Sequence, residues 1–217
     1  MSFSLGSNIA NFPAISIGTT SVLKISLGEE QIWPGFDPVL TPITSTGAFS
    51  YTVPDGANFV DVVLLGAGGG GMGMGLATAW GQGGRAGQWQ LLTLQVGVDI
   101  AAGATITGSV GSGGSAGAGG LGGGSGGTGG STTANIPGYG TLTALGGAGG
   151  TSRNLDVNGK SPGNQTLHDQ TYVGGAESLP LAAAPPGNAP GGGGAASQFS
   201  TIQGGAGARG QAWFFAF

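Results

Sequence analysis

The chain has 217 residues, of which 52 are Gly, 39% are hydrophobic and only 6% are charged. That balance excludes the polar or charged composition of a disordered linker. A net charge of −4, with five Lys/Arg scattered at 24, 85, 153, 160 and 209, leaves no basic patch for nucleic acid.

In chain order, 9–34 reads as a small β unit. Ile15 and Ile17 alternate with small or polar neighbours, Gly18-Thr19-Thr20 is a turn candidate, and Leu23, Ile25 and Leu27 alternate in their turn. Gln31-Ile32-Trp33 returns the chain after Gly28-Glu29-Glu30. Three prolines in 34–46 predict an extended linker over 35–46. From Thr46, Phe49, Tyr51 and Val53 alternate, Pro54-Asp55-Gly56 is a turn, and 59–65 is an apolar strand running into a Gly cluster at 66–71. Strands are also predicted at 88–98 and at 211–217, where Trp213, Phe215 and Phe217 share a face, while 104–110 leads into the glycine triplets.

Between Gly108 and Ser131, Gly recurs at every third position for eight triplets. Three is the period of polyproline II, not of a strand or an α-helix. These 24 residues would span roughly 74 Å fully extended. With no Pro in them a collagen helix is not expected; the prediction is polyglycine-II helices packed side by side and bonded through their amides. Gly81, Gly84 and Gly87, Gly204, Gly207 and Gly210, and the clusters at 146–150 and 191–194 supply further segments. The fold class expected is mainly β: short, sandwich-like strands combined with a bundle of polyglycine-II helices, and little or no α-helix.

Several motifs carry less chemistry than their spelling suggests. Gly66–Gly71 matches G-x-G-x-x-G after a strand, but no helical period follows and no acid lies within 62–98. Gly159-Lys160-Ser161 lacks the first Gly of a P-loop, since 154 is Asn. His168 is the sole His, and no nucleophile elbow accompanies it. There is no Cys for a disulfide or thiolate metal site. No cofactor, metal or catalytic role is expected, and the chain reads as a non-enzyme. Asp61, inside the apolar strand, is expected on an exposed face, or else in an ion pair with Arg85 or Arg209. The opening residues lack a basic n-region followed by an apolar run, and no run approaches the ~20 residues of a membrane span, so neither a signal peptide nor membrane insertion is expected.

The segment 151–190 interrupts the glycine pattern with a mixed polar surface, and recognition is commonly carried by such insertions on rigid scaffolds. Arg153, Asn154, Asp156, Lys160, His168 and Asp169 are the candidate partner contacts there. Trp80, Tyr139 and Tyr172 are candidate stacking residues.

The order YTVPDGANFVDVVLLGAGGGG, GQGGRAGQW, ATITGSVGSGGSAGAGG and GGAGARGQAWFFAF resembles the glycine-rich domain of phage minor tail and tail-fibre proteins, over roughly 46–217. SIGTTSVLKISLGEEQIWPG resembles the β module that precedes it in tail proteins of actinobacterial phages. The resemblance implies a virion tail component assembled in the host cytoplasm. Residues 1–34 would dock to other tail proteins and 35–46 would link. Residues 46–217 would form the glycine-rich domain, as a homo-oligomer for which a trimer fits the cyclic symmetry of fibres. An adhesin binding host cell-wall glycan is the alternative. An ice-binding protein is a third, disfavoured by the β module and linker.

Overall fold

The computed structural model describes residues 15–17, 20–22, 25–27, 30–33, 36–76, 81–151, 156–180 and 183–217. Among them every regular element is a β-strand. The N-terminal unit holds two antiparallel pairs of short strands. Strand β1 (Ile15–Ile17) pairs antiparallel with β2 (Thr20–Val22), and β3 (Ile25–Leu27) with β4 (Glu30–Trp33).

The rest is built on two four-stranded antiparallel sheets. One has the order β11-β10-β9-β6, from β6 (Gly47–Thr52), β9 (Thr105–Val110), β10 (Thr132–Ile136) and β11 (Gly140–Ala144). The other has the order β5-β14-β7-β8, from β5 (Val39–Ile43), β7 (Phe59–Leu65), β8 (Trp89–Gln95) and β14 (Gln211–Ala216). Tyr51, Val60, Val62, Leu64, Ile106 and Phe214 fill the space between them, with the Tyr51 and Phe214 rings stacked 4.1 Å apart. The opposite face of β7 is also covered. Val63 and Leu65 pack with Trp213 and with Tyr172 of a hairpin formed by β12 (Gln165–Leu167) and β13 (Gln170–Tyr172). Burial on both faces is why the β7 sequence is an unbroken apolar run rather than an alternating one.

The linker expected over 35–46 is instead partly strand: Val39–Ile43 forms the edge strand β5, paired along its length with β14. Pro42 lacks a donor, and an edge position is where a strand tolerates that loss.

Six strands run directly into or out of glycine threads, all at the same end of the sandwich: β7 into 66–74, β9 into 111–119 and β11 into 145–151, while 82–88, 124–130 and 204–210 lead into β8, β10 and β14. The thread 66–74 is the axis. The N–H groups of Gly66, Gly69 and Met72 donate to the carbonyls of Gln88, Arg85 and Gln82. Those of Ala67, Gly70 and Gly73 donate to Gly130, Gly127 and Gly124, and those of Gly68, Gly71 and Met74 to Ala208, Gly205 and Ile202, all at 2.8–3.0 Å. Partner numbers fall by three as the axial numbers rise by three, so these three neighbours are antiparallel. Three parallel neighbours donate back: Gly147 and Gly150 to Ala67 and Gly70, Gly114 and Gly117 to Gly68 and Gly71, Gly194 and Ser197 to Gly69 and Met72. One thread surrounded by six, each addressed by every third residue, is polyglycine-II packing.

The stretch 108–131 is not one rod. Gly108 lies within β9, 111–119 is a thread, and the chain reverses at 120–123 before returning as 124–130. Gly127 and Gly130 donate to the carbonyls of Ser115 and Ser112 across this reversal, each at 2.8 Å. Gly120 and Gly123 sit at φ +92° and +64°, so two members of the triplet repeat serve the turn rather than the packing.

Candidate functional site

Among the described residues, the polar ones of the insertion lie along the flank of the molecule, not on a free loop. The first part docks as a further thread: Gly83 donates to the Asp156 carbonyl, Lys160 to Gly84, and Gly193 to Lys160. Gly159 and Ser178 exchange two backbone bonds, at 2.9 and 2.8 Å. This places Asp156, Lys160 and Glu177 side by side. The Asp156 carboxylate pairs with Lys160 and with Arg85 (3.4 Å), and Lys160 reaches Glu177 at 3.5 Å. The bond to Asp156 holds the Lys160 ammonium above its ordinary value, against a smaller opposing effect of burial. These groups are part-exposed, so the cluster adds little stability.

The second part folds as the β12–β13 hairpin. Its two-residue turn, His168-Asp169, has φ +44° and +59°. Two positive φ values define the type I′ turn that matches strand twist, but Asn-Gly suits it better than His-Asp. The His168 side chain supplies a compensating contact. Its Nδ1 lies 2.9 and 3.1 Å from the two carboxylate oxygens of Asp61, which also accepts a 2.6 Å bond from the Thr93 hydroxyl. Asp61 is 0% exposed. The expected exposed position, and the alternative pairing with Arg85 or Arg209, are therefore both corrected. Arg209 donates instead to the Gly210 carbonyl and the Gln211 amide oxygen, each at 2.9 Å. The imidazole also lies against the Phe217 ring, with centroids 5.1 Å apart.

Tyr172, a candidate for stacking on a ligand, is instead 1% exposed and meets Trp213 edge to face at 5.7 Å. Its phenol is raised well above the usual range, by burial and then by the Asp61 charge, and its hydroxyl has no hydrogen-bond partner. Tyr139 is 55% exposed in the β10–β11 turn, at the end of the sandwich away from the threads. Trp80, Arg153 and Asn154 lie outside the described residues. The structure thus joins Asp156 to Lys160 and His168 to Asp61, and leaves Tyr139 apart from both.

Sequence reasoning missed the far end of the bundle. There Leu76 donates its amide to the Leu121 carbonyl, Gly120 to Thr201, and Ile202 to Phe199. Leu76, Leu121, Phe199 and Ile202 are all exposed. Thr201 has φ +67°, which is strained for a β-branched residue. A cavity of about 530 Å³ opens beside it, lined by Gly119, Ala183, Ala184, Thr201, Ile202 and Gln203. Nothing in the local sequence separates these residues from core ones; Leu121 comes to the tip in the reversal at 120–123, Phe199 and Ile202 in the turn before the thread 204–210, and Leu76 at the end of the axial thread.

A β-sandwich whose strands continue into a polyglycine-II bundle, with polar groups along one flank and apolar ones at the tip, defines an all-β fold of the glycine-rich type. The chain belongs to the glycine-rich domain family, which it matches over residues 44–216. It is 54% identical over 222 residues to the Gene 32 protein of Mycobacterium phage D29, covering 98% of this chain and 99% of that one. It is also 54% identical over 225 residues to the Gene 32 protein of Mycobacterium phage L5, covering 99% and 98%. Likeness over the full length of two such proteins makes it a protein of mycobacteriophage type.

Proposed function

We propose that the protein is a structural component of a phage virion tail, a minor tail or fibre protein that carries its glycine bundle outward. The observation that supports this best is the polarity of the molecule. The chain enters the large domain at Val39, paired with Ala216, beside the Phe217 carbonyl that accepts from Asn58 and Phe59. The threads leave from the opposite end of the same sheets. Seven residues of β7 and nine of the axial thread carry the tip about 50 Å from that point, at ~3.3 and ~3.1 Å per residue. Residues 1–34 would fix the base to neighbouring tail proteins, and the bundle would act as a thin, stiff spacer. Homo-oligomerisation, as a trimer in the simplest case, belongs to this reading.

Mass spectrometry and immunogold labelling of purified virions of the phage that encodes this chain test it. The protein should be present in stoichiometric amounts, with gold confined to the tail. Its absence from virions would overturn the proposal. The second reading, an adhesin for host cell-wall glycan, is favoured by the exposed residues at the tip.

A further inference from the structure

We propose that the cavity at the tip of the glycine bundle is a binding site for an uncharged saccharide, an inference that rests on the tail reading above. Six observations converge on it. The tip is the part of the molecule farthest from where the chain enters the sandwich, so in a tail-anchored protein it faces away from the virion. Its segments hold no acidic or basic side chain: there is none between Asp61 and Arg85, between Asp99 and Arg153, or between Glu177 and Arg209. Recognition there is therefore not electrostatic, and an anionic or cationic partner would find no complement.

The volume, about 530 Å³, lies within the ~300–1,000 Å³ of ordinary ligand sites. Its lining mixes two chemistries. Ala183, Ala184 and Ile202 offer apolar surface, while Thr201 and Gln203 offer a neutral hydroxyl and amide. A sugar ring presents the same pairing of C–H faces and hydroxyl edges. A purely alkyl ligand would desolvate the Thr201 and Gln203 groups and leave them unpaired, which weakens binding. Phe199, 52% exposed on the same turn, adds an aromatic face at the rim. Finally, the turn Phe199–Ile202 holds Thr201 at φ +67°, where Gly or Asn is the usual occupant of a turn. A β-branched residue kept in that conformation is the kind of local strain that binding sites retain.

The test uses phage carrying Ala184→Trp, which fills the cavity, or Gln203→Ala, which removes an exposed amide without touching the packed threads. Virion incorporation is measured by mass spectrometry and adsorption on host cells in parallel. Cells oxidised with periodate, which cleaves the vicinal diols of saccharides, are compared with untreated cells. Both variants should be incorporated at the wild-type level. Adsorption should fall at least tenfold for Ala184→Trp and severalfold for Gln203→Ala, and periodate should reduce wild-type adsorption to the same extent. Normal incorporation with unchanged adsorption overturns the saccharide site and leaves the tail reading standing. Lost adsorption by the variants with no effect of periodate overturns the ligand class. Absence of wild-type protein from virions overturns the tail reading itself. If purified Ala184→Trp protein melts below wild type, the Gln203→Ala result decides.

Discussion

Gly70 shows why this chain needs so many residues without side chains. A Cβ there would fall on the carbonyl of Ser115, and at Gly68, Gly69 and Gly71 it would fall on the carbonyls of Gly192, Ala148 and Ala195. Four consecutive positions thus abut three neighbouring threads, Gly68 and Gly71 meeting the same one, and backbone cannot rotate away as a side chain would. Gly70→Ala should destabilise at the upper end of the ~1–3 kcal/mol of overpacking, because it also breaks axial hydrogen bonds. Gly122 is the control: a Cβ there would meet no atom within 4 Å, and its φ is not positive. Gly122→Ala should therefore stabilise, by about 0.4–1 kcal/mol, through the unfolded chain. Denaturant melts of both variants check the pair. Equal effects would mean that close backbone packing is not what selects glycine here.

The buried phenols give the fold a pH dependence. Tyr51 is pushed up to about 12 by burial, and neither its hydroxyl nor that of Tyr172 has a partner. The folded state holds these protons after an unfolded chain, with its phenols near ~10, has lost them. Their contribution is thus constant below pH ~10 and declines as pH rises towards about 12. Tyr51→Phe should flatten the decline and raise stability at pH 7 by up to ~1–2 kcal/mol, since it deletes an unsatisfied buried hydroxyl. Melts recorded from pH 7 to 12 follow both effects.

Among the elements, the β12–β13 hairpin depends most on a single long-range contact. Three-residue strands cannot stand alone in water, so Tyr172 and the His168–Asp61 bond must hold it on the sheet. His168→Ala leaves a buried carboxylate with only the Thr93 hydroxyl, and should cost about 1.5–3 kcal/mol. Hydrogen exchange at 165–172 should rise with it. A double-mutant cycle with Asp61→Asn should give non-additive losses; additive ones would mean the two side chains do not interact.

What is legible in the sequence follows from the physics of each element. Strand β7 can be read to the residue because an apolar run between a turn and a glycine cluster has few alternatives. The threads are legible because only missing side chains explain a period of three. The reversal at 120–123 is not, since glycine serves close packing and left-handed turns alike and the spacing runs through both. Strand β5 is hidden by Pro42 and by Pro34 and Pro38 ahead of it, since prolines suit a linker and an edge strand equally. Asp61 escapes local reading because its partner stands 107 positions away. Tyr172 does so because an aromatic in a polar insertion gives no sign of which side it turns. His168 stands out only as the lone histidine, and the tip residues not at all.

At the scale of the whole molecule, sandwich and bundle share one set of chains. Each of six strands gives its ladder partners at one end and its thread partners at the other, so the two halves are expected to unfold together. The axial thread donates nine backbone bonds, worth ~0.5–1.5 kcal/mol net apiece, against an extra ~0.5–1 kcal/mol for ordering each glycine. With six glycines among its nine residues the two ranges overlap, so the bundle holds only when its neighbours are all in place and water is kept out. Amide hydrogen exchange resolved along residues 66–74, in the full-length protein, tests that directly. Packed as described, these amides should exchange only with global unfolding, as slowly as those of β7. Exchange within seconds, as in an exposed glycine loop, would contradict the account.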